Sequence, residues 1–323
     1  MSTTHSTTSL VDLAPAQAIF HQEVLQGLQK ARKELPSKYF YDETGSRLFD
    51  LICELDEYYV TRTEFKIMQA FLDEIVDVLG PQCMLVEYGS GSSIKTRMLL
   101  NALPELAAYV PIDISKHYLQ GAVTALAKAH PTLEIAPICA DYTHPFTLPT
   151  PTRPVKRRVA YYPGSTIGNF EPEAACNFLR GIARTFAGGG LLIGVDLKKD
   201  CAILHKAYND SSGVTAQFNL HLLERINQEL YADFQIDQFL HYAFYNPTEG
   251  RVEMHLVCNQ SQCVTIGNTA ILVKESESIW TESSYKYTLE EFAELAHRAG
   301  LKVERVWIDE DAMFSIQYLS VIP

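Results

Sequence analysis

The stretch Met84-Leu-Val-Glu-Tyr-Gly-Ser-Gly-Ser-Ser-Ile-Lys-Thr96 decides how this chain is to be read. An apolar run of strand length, Met84–Tyr88, enters a turn at Gly89 and Gly91 and leads into a helix. About twenty residues on, Val110-Pro-Ile-Asp-Ile114 reads as a second buried strand ending in an acid. Glycines at 89 and 91 let the backbone turn sharply and approach a ligand closely. Asp113 is then placed to accept hydrogen bonds from a ribose diol. Together these features describe a site for a nucleotide-type cofactor.

What is missing narrows the choice. A dinucleotide fingerprint needs a third glycine three positions after the second, where helix and strand pack closely, and this chain has Ile94 there. A pyrophosphate binder is disfavoured, which leaves a dehydrogenase as the third-ranked reading. The acid at Glu87, the shortened Gly89-Ser-Gly91 and the distant Asp113 resemble the first two motifs of class I S-adenosylmethionine methyltransferases. Asp141-Tyr142, after the strand-like Ile135–Ala140, sits where that family often sets an acid beside the adenine.

A chain of 323 residues suffices for one large domain or two modest ones, and its 47% hydrophobic and 20% charged residues fit a soluble globular protein. The net charge of −12 argues against nucleic acid or an anionic membrane as the main partner, since phosphate contacts want clustered lysine and arginine. The basic knot Lys156-Arg-Arg158 reads as a solvated strand entry. Seven cysteines without a CxxC pair suggest small buried hydrophobes in a reducing compartment. No apolar run is long enough to span a bilayer, and Met1–Leu10 lacks the apolar core of a signal peptide. A cytoplasmic, monomeric enzyme is expected.

Along the chain, a helical stretch near Ala14–Glu34 precedes the turn-rich, aromatic Leu35–Ser46, a short helix at Phe49–Cys53, and a helix over Thr63–Leu79. Strands and helices then alternate: Met84–Tyr88, Ser93–Ala102, Ala108–Ile112, Lys116–Ala129, Ile135–Ala140, Val159–Pro163, Pro172–Phe186 and Gly190–Leu197. That order predicts a parallel, doubly wound, Rossmann-like α/β sheet. From about 200 to 285 the rhythm breaks into a helix striped by Phe218, Leu222, Ile226 and Leu230, followed by several strands, so an inserted α+β unit is expected. A helix at Leu289–Ala299 and two strands, Lys302–Ile308 and Ser315–Val321, predict an antiparallel hairpin at the sheet edge. The expected division is a cofactor domain of residues 61–199 and 286–323, a substrate-recognition domain of residues 12–60 and 200–285, and a flexible start over residues 1–11.

Five motifs in one order narrow the resemblance. They are Pro36-Ser-Lys-Tyr-Phe-Tyr-Asp-Glu-Thr-Gly45, Glu57-Tyr-Tyr-Val-Thr-Arg62, the glycine loop, Gly164-Ser-Thr-Ile-Gly-Asn169 and Tyr208-Asn-Asp-Ser-Ser-Gly-Val-Thr-Ala-Gln-Phe-Asn219. Over nearly its whole length the chain resembles the histidine-specific Nα-methyltransferases of the ergothioneine pathway. The resemblance implies transfer of three methyl groups from S-adenosylmethionine to the α-amino group of L-histidine, giving hercynine. It implies that Gly89, Lys95, Asp113, Asp141, Tyr142 and Gly164 line the cofactor, with Gly91 beside them in the turn. Asn169 and Tyr208 would grip the amino-acid backbone, with Tyr58 near the amine and Tyr41 close by. Glu282 and Ser284 would hold the imidazole, with Met254 packed against it. Tyr88 and Ile94 depart from the expected pattern of the loop, and Tyr142 stands where phenylalanine is also familiar.

The residue chemistry is compatible. Methyl transfer from a sulfonium is an in-line displacement that needs a positioned neutral amine and no metal, and the ten histidines show no HExxH spacing. The catalytic candidates are Tyr58, as a proton relay, and Asn169, a donor and acceptor at the end of a central strand. Tyr41, Tyr58 and Tyr59 could face the growing cation at roughly 0.5–2 kcal/mol each. A buried carboxylate left unpaired would reject an amino acid without imidazole nitrogens. Two rivals remain: the same chemistry on another amino acid or halted after one or two methyls, and a non-catalytic cofactor-binding module.

Overall fold

Every side chain of Cys83–Tyr88 is buried, as is every one of Ala108–Asp113, which is what a parallel strand covered on both faces demands of its sequence. The computed structural model describes residues 9–91, 94–103 and 105–322, so Ser93 and the N-terminal residues 1–8 lie outside the described residues. In chain order the strands are β1 (Val11–Leu13), β2 (Cys83–Tyr88), β3 (Ala108–Asp113), β4 (Ile138–Ala140), β5 (Arg157–Tyr162), β6 (Gly190–Asp196), β7 (Phe239–Asn246), β8 (Arg251–Cys258), β9 (Gln262–Ile266), β10 (Thr269–Val273), β11 (Ser278–Tyr285), β12 (Leu301–Ile308) and β13 (Phe314–Val321). The helices are α1 (Gln17–Leu28), α2 (Glu43–Glu54), α3 (Tyr59–Ala70), α4 (Leu72–Leu79), α5 (Ile94–Ala102), α6 (Lys116–Ala129), α7 (Pro172–Thr185), α8 (Cys201–Tyr208), α9 (Val214–Leu230) and α10 (Leu289–Arg298).

The chain divides into two units. The first holds the described residues up to Ala14, Val60–Lys198 and Lys286 onwards; the second holds Pro15–Tyr59 and Lys199–Tyr285. In the first, eight strands run in the order β1-β4-β3-β2-β5-β6-β13-β12. Pairing is parallel from β1 to β6, and β13 is antiparallel to both β6 and β12. This is the α/β class I methyltransferase sheet with its antiparallel end. The strand order reverses direction between β2 and β5, so the loops after those two strands open at the switch point where such sheets bind ligands. Local chemistry sets the helix limits. Pro172 starts α7, whose buried Ala175, Cys176, Leu179, Ile182 and Ala183 form one stripe. Thr288 and Glu291 exchange hydrogen bonds in a capping box at the start of α10, at 3.1 and 2.8 Å.

Three expectations are corrected. The start is not free up to residue 11, nor does residue 12 enter the second unit: Val11–Leu13 pairs in parallel with Ile138–Ala140 and joins the first unit's sheet. Three exposed residues of mixed polarity are too short for a periodic signal, and the pairing partner, not the segment itself, makes the strand. The helix expected over Thr63–Leu79 is two, α3 and α4, broken at Phe71 (φ −118°, ψ 20°). The short helix at Phe49–Cys53 is the end of the 12-residue α2, which Asp42 caps by accepting from Gly45 N–H at 2.7 Å. Gly45 belongs to this helix rather than to a turn, and the residue is a glycine there because a Cβ would collide with the Phe40 carbonyl.

The second unit packs α9 against α2 and against the antiparallel sheet β11-β8-β7, beside the hairpin β9-β10 turned through Gly267-Asn268. Phe218, Leu222, Ile226 and Leu230 of α9 are all buried. One irregularity matters below: β11 bulges between Trp280 and Glu282.

Candidate active site

The first-unit candidates lie at or after the carboxyl ends of parallel strands, Lys95 on α5 and Asn169 at the end of a short 3-10 helix. After β2, Gly89 and Gly91 take φ of +72° and +45°, where side chains are strained. Gly89 and Ser90 donate to the Ile112 carbonyl at 2.8 and 3.1 Å, and Gly91 N–H donates to Asp113 Oδ2 at 3.3 Å. The turn is therefore tied to the end of β3. Asp113 Oδ1 accepts from Ser115 N–H at 2.9 Å. Burial raises its carboxyl above the usual range, against the pull of the Ser115, Gly91 and Ile114 amides.

This cradle fits a nucleoside. Among the described residues a Cβ on Gly89 would meet nothing within 4 Å, and one on Gly91 only the Gly89 carbonyl at 3.9 Å, so none of them fills the space over the turn. A carboxylate offers about four acceptor sites, and the Ser115, Gly91 and Ile114 amides do not fill them, so Asp113 keeps acceptor capacity for a diol. A diol would return hydrogen bonds to a carboxylate that burial has stripped of water.

Glu87 plays a different part from the one its place before the glycines suggests. Its oxygens accept from Thr96 Oγ1 at 2.6 Å and from the Tyr109 hydroxyl, and it is 1% exposed. Burial lifts it to about 7, opposed by those two hydroxyls. It locks β2 to α5 and β3. Asp141 Oδ1 accepts from Thr143 N–H at 3.0 Å and Thr143 Oγ1 at 2.6 Å, in a side-chain-closed turn after β4. Tyr142 packs among Tyr88, Tyr162 and Phe178, its hydroxyl 3.3 Å from that of Tyr162. The unexpected Tyr88 thus fills the floor of this aromatic cluster.

Sequence reasoning missed Glu64. This carboxylate on α3 is 1% exposed, ion-paired with Lys95 Nζ, and accepts from Gly164 N–H at 3.0 and 3.1 Å. It thereby brings together two cofactor candidates that lie 69 residues apart in numbering, Lys95 and Gly164 (164 minus 95). The missed signal was an acid among Tyr59, Val60, Ile67 and Met68, the other residues that α3 buries. Gly194 on β6 makes room for Glu64, since a Cβ there would collide with Oε1. Gly164 and Ser165 both have positive φ, and Asp196 N–H donates to Ser165 Oγ at 2.9 Å to hold that turn. Asn169 ends the short 3-10 helix Thr166–Asn169 in the same unit, half-buried.

The other amino-acid candidates belong to the second unit and gather there. Tyr58 is buried with its ring 6.3 Å from that of Tyr208, and Phe49 links Tyr58 and Tyr41 at 6.2 and 5.7 Å. Burial raises Tyr58 well above the usual phenol range, and Tyr208, Cys53, Tyr41 and Glu282 add to the rise. Tyr58 is therefore a neutral phenol near Glu282 at physiological pH. The Tyr208 hydroxyl donates to Ser284 Oγ at 2.8 Å. Glu282 and Met254 are direct cross-strand partners on β11 and β8, which sets their side chains on one face. Tyr59 is already engaged: Lys199 Nζ lies 4.5 Å over its ring and 2.8 Å from its hydroxyl.

Comparison with known proteins identifies the family. Residues 20–321 match the family described as histidine-specific methyltransferase, SAM-dependent. A histidine N-alpha-methyltransferase of Mycobacterium tuberculosis is 42% identical over 303 residues, 91% of this chain and 92% of its own. That of Mycolicibacterium smegmatis is 40% identical over 309 residues, 93% of this chain and 94% of its own. Ergothioneine biosynthesis protein 1 of Neurospora crassa is 29% identical over 298 residues, 85% of this chain and 32% of its own. With a methyltransferase sheet, an open glycine turn beside a buried acid, and a match that runs almost end to end, the chain belongs to the histidine-specific, S-adenosylmethionine-dependent methyltransferases.

Proposed function

We propose that the protein methylates the α-amino nitrogen of L-histidine three times to give hercynine, the opening step of ergothioneine biosynthesis, as a cytoplasmic monomer. The observation that carries the choice of substrate is the pairing on β11. Glu282 stands opposite apolar Met254, and Ser284, two residues on along the strand, accepts from Tyr208 at 2.8 Å. A neutral imidazole has one N–H and one bare nitrogen. Glu282 would accept from the first; Ser284, whose Oγ accepts a hydrogen bond from the Tyr208 hydroxyl, would present its own hydroxyl hydrogen to the second.

Bound S-adenosylmethionine supplies an electrophilic methyl on a sulfonium, open to in-line attack by a nitrogen lone pair. In the first unit Asp113 would hold the ribose, with the turn at Gly89 and Gly91 against the nucleoside and Asp141 and Tyr142 at the adenine. Lys95 and Gly164 would meet the amino-acid end. Asn169 and Tyr208 would orient the α-carboxylate and amine of histidine. The incoming ammonium must lose a proton before each displacement. Tyr58 stays a phenol at neutral pH, so it acts as a relay: its oxygen receives the ammonium proton as its own hydrogen passes to water. The trimethylated nitrogen ends as a fixed cation, which the faces of Tyr41 and Tyr58 stabilise by roughly 0.5–2 kcal/mol each.

The test is mass spectrometry of the purified protein with S-adenosylmethionine and L-histidine. Addition of one, two and then three methyl groups supports the reading. Turnover of another amino acid alone, or arrest at one or two methyls, overturns the substrate or the extent of reaction. Cofactor binding with no product from any amine leaves a binding module instead.

A further inference from the structure

Asn219 lies on the buried side of α9 and is 0% exposed, among Thr215, Phe218 and Leu222. A primary amide there is costly unless every polar atom is paired. It is paired throughout. Nδ2 donates to the His255 carbonyl at 3.0 Å and to His241 Nδ1 at 2.9 Å, and Oδ1 accepts from Thr281 Oγ1 at 2.7 Å. A carbonyl can only accept, so His255 fixes which way the amide faces, and the remaining protons follow. His241 accepts at Nδ1 and must carry its hydrogen on Nε2, which donates to the Tyr208 carbonyl at 2.8 Å. Thr281 must donate, and its single proton lies between Asn219 Oδ1 and the Met254 carbonyl at 3.1 Å.

Thr281 is the extra residue of the β11 bulge. Trp280 pairs with His255 and Glu282 with Met254, leaving Thr281 opposite neither. Without the bulge the ladder from Ser278 would continue one for one, setting Thr281 against Met254 and Glu282 against Glu253. That register turns Glu282 to the opposite face and brings two carboxylates together across the strands. Glu253 is already engaged by Arg32 at 2.6 Å and Arg251 at 2.9 Å, and is 1% exposed. The bulge therefore decides whether Glu282 stands beside Met254 at all.

We propose that Asn219 is a positioning residue for recognition of the imidazole: through Thr281 it holds the bulge that sets Glu282 opposite Met254, and through His241 it holds the backbone of Tyr208. This rests on the reading that Glu282 grips the substrate ring. One buried amide thus couples the residues at the two ends of the Tyr208–Asn219 motif to a strand some sixty residues further on (281 minus 219 is 62).

The experiment measures L-histidine binding by calorimetry on protein saturated with S-adenosylhomocysteine, and S-adenosylmethionine binding separately. Asn219→Ala and Thr281→Val are each made alone and in a Glu282→Ala background, with Thr281→Ser as the conservative control. Each of the first two is expected to weaken histidine binding roughly tenfold to a hundredfold, with S-adenosylmethionine affinity within about twofold, and Thr281→Ser to retain binding within about threefold. In the Glu282→Ala background the further loss should shrink to under about threefold, because the group being positioned is gone. An undiminished loss in that background, or equal losses for both ligands, overturns the proposal. If Glu282→Ala alone leaves histidine binding intact, the reading of the ring site has failed, whatever Asn219 does. Should Asn219→Ala not fold, Thr281→Val carries the same comparison with the amide in place.

Discussion

In the first unit the groups proposed for the cofactor are backbone turns and acids, with a buried ion pair holding the turn at Gly164; in the second, apart from Glu282, the groups proposed for the amino acid are neutral side chains held by one another. Gly89 and Gly91 hang from β3, Gly164 from Glu64, and Glu64 is ion-paired with Lys95. Asp196, just inside that region, pairs with Lys286 at 2.8 Å, with side chains 0% and 1% exposed. Tyr208, Ser284, Asn219, Thr281 and His241 instead form a chain of uncharged hydrogen bonds, with burial pushing His241 below its ordinary value against the Tyr208 carbonyl. A charged framework is rigid and intolerant of losing one partner, whereas a neutral one is sensitive to shape.

The sharpest way to break that contrast is to remove one partner of the buried pair. Lys286→Met leaves Asp196 buried without its cation, and a loss of about 3–5 kcal/mol is expected in denaturant unfolding. A loss below about 1 kcal/mol would mean that the framework does not depend on the pair.

Glu87 sharpens the same point through pH. Its ordinary value is 4.5 and its folded value about 7. Below the first, both folded and unfolded chains hold the proton. Between the two, the unfolded chain ionises while the folded one does not, so this residue's contribution falls as pH rises and is lost by the folded value. The stability of the natural protein relative to Glu87→Gln should therefore decline by about 3 kcal/mol from pH 4.5 to 7.5, measured by urea unfolding at both ends. A flat difference would place the proton elsewhere. Asp113→Asn should cost less, weakening S-adenosylmethionine by about tenfold to a hundredfold in calorimetry, since one charge-assisted acceptor is replaced by an amide. Unchanged affinity would remove Asp113 from the cradle.

The two regions also differed in how far they could be read from the chain. The cradle is local: β2, its glycines and Asp113 follow each other within about thirty residues, and buried parallel strands announce themselves as unbroken apolar runs. Helix α6 has the limits its periodicity predicts, Lys116–Ala129. Glu64 escaped because a single acid inside an apolar stripe looks like noise until its partners from a later helix and a later loop are seen. In the second unit, Tyr58, Tyr208, Met254 and Glu282 meet only through folding, so family resemblance named them and spacing could not. The bulge at Thr281 left no mark, because one inserted residue does not alter local polarity. Asn219 stood at the end of a motif with no role attached, since its partners lie on three different elements.

The mildest change probes shape alone. Met254 is 2% exposed on the face it shares with Glu282, and Leu replaces it with a side chain of nearly equal volume and no polar atom. If Met254 only closes the apolar wall of the ring site, Met254→Leu should change kcat/KM for histidine by less than about tenfold, the equivalent of about 1.4 kcal/mol, with S-adenosylmethionine affinity unaltered. A fall of a hundredfold or more would show that the thioether's flexibility or polarizability is needed where the ring sits. The second region would then depend on a specific atom as strictly as the first depends on its buried charges.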